Sequence, residues 1–249
     1  MSNPAFTATL LISPGGTLLT NAELAQQQQW IQVHLTRRMV SWHYLHNCFR
    51  GGVVFCNTAL ISAEDMRSAW TEEKMHRRTL QFFFTGTSLA TILEIPDTTD
   101  FLKTLIHLLQ EYDTFGTAEA RSKSIFSKGR KTTADGMIID EQGEYTYLEV
   151  RNMPFSLDYT ITASTFCEMV FAVYEKLRAS FIAERPWTVN TIEYFQRADN
   201  RIKKILQMVY KEFEAIARES MFKELNYLID PMAAVSSSFT PRYDHDWEI

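Results

Sequence analysis

Between Asn21 and His46 the positions Leu24, Trp30, Ile31, His34, Leu35, Met39, Trp42 and Leu45 recur at steps of about three or four. This spacing predicts a long amphipathic helix that Gly51-Gly52 ends. Ahead of it, Ala8 to Ile12, the turn Ser13-Pro-Gly-Gly and Thr17 to Thr20 read as a β-hairpin. Val53 to Ile61, Thr79 to Phe84 and Thr91 to Ile95 are short runs rich in β-branched and aromatic residues, with a turn at Gly86. They read as three strands, closed by Pro96.

Asp97 or Thr98 caps the next predicted helix, whose face is Phe101, Leu102, Leu105, Ile106, Leu108 and Leu109 and whose end is Gly116. Residues 117–134 are polar and read as a mobile loop. Met137 to Asp140 and Tyr145 to Val150 form a second hairpin in this reading. Helical spacing returns over Leu157–Leu177 and, after the break Arg185-Pro-Trp, over Thr188–Ile229. Within the last helix, Ile202, Leu206, Val209, Phe213 and Ile216 form a seam with a 3.5-residue repeat. It is too short for an independent coiled coil and reads as a core helix or as half of a hairpin with residues 157–177.

Summed, the elements predict an α+β fold: a mostly antiparallel or mixed sheet with long helices packed on it, and a C-terminal helical hairpin over about 157–230. The order β-β-α-β-β-β-α of the first part resembles the longin or roadblock architecture of trafficking and small-GTPase regulatory complexes. No linker rich in Pro, Gly and Ser divides the chain before residue 230, so one domain over 1–230 and an extended tail over 231–249 are expected.

Bulk properties narrow the function. Of 249 residues, 45% are hydrophobic, enough for one sizeable core, and no apolar run approaches the ~20 residues a membrane span needs. The N-terminus lacks the shape of a signal peptide, and the odd set Cys48, Cys56 and Cys167 reads as reduced thiols; both place the chain in the cytoplasm or nucleus. A net charge of -5 disfavours a dedicated nucleic-acid binder.

Candidate chemistry is sparse. Asp135, ahead of the first strand of the second hairpin, and Glu149 and Arg151 on its other strand resemble the metal-binding core of the PD-(D/E)xK nucleases. That resemblance implies Mg²⁺ held by the two carboxylates, with a cation at the scissile phosphate. Two departures weaken it: Ala134 stands where Pro is usual, and Arg151, which cannot readily accept a proton, replaces Lys. Read without the resemblance, Asp135-Gly136 enters a turn and Glu149 and Arg151 form a surface ion pair.

His43, His46, Cys48 and Cys56 invite a zinc reading, but no second paired cluster accompanies them, and they read as core-edge residues of the helix. No nucleophile elbow, Walker loop or dinucleotide fingerprint is present, so no cofactor is expected. What remains points to protein partners, in a hetero-oligomer or a homodimer. Arg121, Lys123, Lys128, Arg130 and Lys131, among three serines, suit an acidic surface. Phe239, Tyr243 and Trp247 give the tail aromatic anchors. The leading expectation is a non-catalytic interaction module, with the nuclease-like domain as the alternative.

Overall fold

The computed structural model describes residues 21–125, 145–183 and 187–229, with side chains excluded at 21–25 and 117–125. Within them lie six helices: α1 (Asn21–Phe49), α2 (Ala63–Ala69), α3 (Glu72–Ile92), α4 (Thr98–Ile125), α5 (Tyr159–Ala183) and α6 (Val189–Ile229). There is no strand among the described residues; one isolated bridge joins Phe55 and Ala59. The expected α+β class, with its sheet, is therefore incorrect, and the fold described is all-helical.

Two of the three central strands fail because their residues belong to one helix, α3, and its exit. Thr79 to Phe84 lies inside α3, where Thr79, Thr85 and Ser88 donate their hydroxyls to carbonyls four residues back, at 2.8, 2.7 and 2.8 Å. Those bonds satisfy buried polar side chains that a helix otherwise disfavours. Phe82 stacks on Phe166 of α5 at 4.6 Å between ring centroids, and Phe84 meets Phe115 of α4 edge-on at 5.8 Å. Between the exposed His76 and Thr87 the outer side of α3 carries the half-buried Leu80 and Phe83, which interrupt the polar stripe by which an amphipathic helix is recognised. Gly86, the supposed turn, sits within this helix, and Thr91 to Ile95 forms its last turn and exit. Lys176 of α5 donates to the carbonyls of Leu93 and Ile95, placing a cation where the helix dipole favours one.

Val53 to Ile61 is a tight reversal instead of a strand. Cys56 and Asn57 have φ of 48° and 55°, and the Phe55 amide donates to the Ala59 carbonyl at 2.8 Å. This reversal seats Phe55 against Phe213 and Tyr44. Residues 145–150, the outer strand of the second hairpin, run without strand partners: the amides of Thr146, Tyr147 and Leu148 donate to the Glu111 carboxylate of α4 at 2.8, 2.9 and 2.7 Å, and the Glu149 amide donates to Ser88 Oγ at 2.9 Å. Side-chain acceptors do the work of a neighbouring strand.

The helix predictions fare better. Gly51, at φ 67°, closes α1 as expected. Asp97 caps α4, but that helix passes through Gly116 and continues to Ile125, so its last turns replace the start of the expected loop. Neighbours in the bundle run α1, α5, α3, α4, α6. α6 then returns its side chains to α1, where Tyr210 stacks on Tyr44 and Phe213 meets Phe49 edge-on. α5 finds its main partners in α1 and α3, and α6 in α4, so the expected C-terminal hairpin does not close. The seam Ile202, Leu206, Val209, Phe213 and Ile216 is buried in one core cluster with all five long helices. The first hairpin, the strand Met137 to Asp140 and the tail lie outside the described residues.

Candidate functional site

Three features are built by the bundle and carry polar or interactive chemistry. The first joins α1, α5 and α6. Asp199, 5% exposed, accepts four hydrogen bonds: on Oδ1 from Arg38 Nε (2.8 Å) and the Tyr174 hydroxyl (2.7 Å), and on Oδ2 from Arg38 Nη2 (2.9 Å) and His34 Nε2 (2.8 Å). His34 and Arg38 are one turn apart on α1 and so reach the same carboxylate.

Burial alone raises the Asp199 carboxyl, but the hydrogen bonds from His34, Arg38 and Tyr174 outweigh it and hold the group well below the usual carboxylate range. Burial, then the Asp199 charge, pushes the Tyr174 hydroxyl far up, while the Asp199 bond raises Arg38. His34 is further covered by Trp30, stacked at 4.8 Å. All four hydrogen bonds converge on this one carboxylate and tie α1, α5 and α6 together.

The second feature is a cleft of about 240 Å³ between α3, α4 and α6, lined by Lys74, Arg77, Arg78, Gln81, Tyr112, Asp113, Gly116 and Met208. Glu212 of α6 bridges it to α3, meeting Arg78 Nη2 at 3.0 Å and Lys74 Nζ at 3.7 Å. Gln81 holds the floor: its amide nitrogen donates to the Tyr112 carbonyl at 3.2 Å, and its oxygen accepts from Arg78 at 3.1 Å. Burial raises the Tyr112 hydroxyl against the opposing pull of Arg78. Among the described residues, the buried hydroxyls of Tyr112 and Tyr159 and Glu212 Oε2 have no hydrogen-bond partner.

The third is the end of α6. From Met221 to Ile229 the helix leaves the bundle and every residue is exposed. Phe222 is 59% exposed, Leu225 50%, Leu228 77% and Ile229 72%.

The sequence-derived candidates are scattered. Glu149 and Arg151 form the ion pair of the plainer reading, at 2.7 Å, with Arg151 exposed and Glu149 half-buried, on a segment that is not a strand. Asp135 lies outside the described residues, as do Lys128, Arg130, Lys131, Phe239, Tyr243 and Trp247. Arg121 and Lys123 fall on the last turns of α4, beyond the described side chains.

His46 is buried, with Nδ1 3.2 Å from the Ser164 carbonyl and Nε2 3.5 Å from Glu168. His43 stacks on it at 6.2 Å, Cys48 is buried and Cys56 exposed, and no group of three or more metal-ligating side chains occurs among the described residues. The Asp199 junction and the cleft escaped sequence reasoning. An acid on the otherwise apolar side of α6, and three cations within five residues at 74–78, are the signals that could have found them. Compared with protein-family models, curated proteins and solved structures, the chain shows no match to any of them.

Proposed function

We propose that the chain is a non-catalytic protein-interaction module, a subunit or adaptor of an intracellular complex, whose docking element is the projecting end of α6. The observation that carries this reading is the apolar surface of that end. Ala217, Met221, Leu225 and Leu228 continue, at steps of four and three, the stripe that Phe213 and Ala217 bury in the bundle, but past Ala217 the stripe is uncovered. Contiguous exposed apolar surface marks interaction sites.

The occupant is an apolar groove on a partner protein, into which the helix inserts. Residues 218–229 carry Arg218, Glu219, Lys223 and Glu224, with Arg218 and Lys223 already paired to acids one turn back. Such balanced charge lacks the basic face of membrane-surface helices. Twelve residues span only about 18 Å, too short for self-packing alone to reach the ~1,200 Å² of a stable interface, whereas a groove encloses the helix from both sides. Within the described residues, no helix is long and apolar enough to cross a membrane.

The test places a photo-crosslinking residue at Leu225 or, as control, at Glu214 of the full chain in cells. The captured protein is then purified and its affinity measured for the parent and for Leu225→Glu with Leu228→Glu. A single protein crosslinked from position 225 and not from 214, binding about tenfold or more weakly to the variant, supports the reading. Unchanged affinity, scattered crosslinks, or crosslinking only to a second copy of this chain overturns it.

A further inference from the structure

With the projecting end of α6 taken as the docking element, its apolar residues also fix the side from which a partner approaches. Within the bundle α6 buries Ile202, Leu206, Val209, Phe213 and Ile216, at alternating steps of four and three. Such steps keep a stripe on one side of a helix with 3.6 residues per turn. After Phe213 the step changes: Ala217, Met221, Leu225 and Ile229 follow at intervals of four. Each interval of four carries a residue about 40° further round the axis, so Leu225 stands about 120° and Ile229 about 160° from Phe213. The positions in line with the buried stripe, within about 40° of Phe213, are instead Ser220, Glu224 and Tyr227.

The end is therefore polar where a continuation of the bundle would bury it, and apolar on another side. Phe222, 59% exposed, and Ile229, 72% exposed, border Leu225 on one flank, and Met221 and Leu228 border it on the other. The five residues cover an arc of about 120°, the width a helix presents to a core with walls on both flanks and wider than the seam between two helices of a coiled coil.

Resting on the docking role of this end, we propose that the partner lies beside the bundle, on the side of α6 turned away from its buried stripe, and holds the end in a two-walled apolar groove. The floor of the groove meets Leu225, one wall Met221 and Leu228, and the other wall Phe222 and Ile229. Phe222, the aromatic residue of the arc, is the anchor, and its wall has a pocket of ring size. A partner that prolonged the core of the bundle would instead have to bury the Glu224 carboxylate, which is costly.

The experiment places a photo-crosslinking residue in turn at Ser220, Phe222, Leu225, Tyr227 and Ile229 of the full chain in cells. The affinity of the captured protein is then measured for Phe222→Ser, Ile229→Ser and Tyr227→Ser. These three side chains are 59%, 72% and 55% exposed, so the variants keep the parent thermal transition. One protein captured from 222, 225 and 229 and not from 220 or 227, bound about tenfold more weakly by Phe222→Ser and Ile229→Ser and equally by Tyr227→Ser, is the expected result. Capture from 225 together with 220 and 227, or unaltered affinity in both Phe222→Ser and Ile229→Ser, overturns this placement while the docking role of α6 stands. Capture of no single protein from any position, or only of this chain itself, overturns both.

Discussion

Glu111 of α4 accepts a hydrogen bond from the Leu148 amide at 2.7 Å, and the same carboxylate also accepts from Tyr147 and Thr146. One carboxylate thus holds three consecutive backbone donors and pins residues 145–150 to the bundle, with Leu148 buried beneath. Glu111→Ala is expected to cost about 2–3 kcal/mol, the worth of losing charge-assisted bonds to backbone donors. Amide hydrogen exchange at 146–148 should rise well before the helices respond. Unchanged protection there would mean that the segment is held by the burial of Leu148 alone.

The Asp199 junction carries a pH dependence with a definite sign. The folded-state carboxyl titrates below its ordinary value of 3.8, so its contribution is fully present above that value and is lost as pH falls through the depressed folded-state value. Denaturant midpoints measured from pH 6 downward should fall in the acid range, and Asp199→Asn should flatten that slope. Since the substitution leaves Arg38 without its counter-charge, it should also cost roughly 3–5 kcal/mol near neutrality.

Gly116 lies mid-helix, where alanine ordinarily gains about 1 kcal/mol. Here a Cβ would meet Gln81 Nε2 at 2.6 Å, and Gln81 is bound at both ends, by the Tyr112 carbonyl and by Arg78. Gly116→Ala is therefore expected to destabilise by about 1–2 kcal/mol. Combining it with Gln81→Ala should recover part of that loss in a double-mutant cycle. A stabilising Gly116→Ala would show that α3 and α4 are not in this close approach.

Phe82 tests the packing of α3 against α5. It is 1% exposed and lies nearly parallel to Phe166, at 9° between ring planes. Phe82→Ala should lower stability by about 3–5 kcal/mol, as expected for a large cavity. Leu228→Glu, on the exposed end of α6, should stay within about 0.5 kcal/mol of the parent. Equal losses at the two sites would contradict the burial pattern.

The helices with one apolar stripe were legible in the chain: α1, α4, α5 and α6 announce themselves through three- and four-residue spacing, a cap at Asp97 and a closing glycine at Gly51. Their local pattern and tertiary role agree. The Glu149–Arg151 pair was legible too, because two residues on an extended segment share a side whether or not a strand lies beside them.

Tertiary structure decided α3 and the segment after α4. Thr79 to Phe84 carries strand-forming residues, and only packing between α4 and α5, with hydroxyls satisfied by carbonyls one turn back, makes it a helix. Tyr145 to Val150 has the local character of a strand, but its donors meet Glu111, some 35 residues earlier, instead of another strand. The charged cleft and the Asp199 junction arise in the same way, from side chains distant in sequence that approach only once the helices pack. Local spacing records which side of a helix is apolar; which partner covers that side is set by the packing of the whole chain.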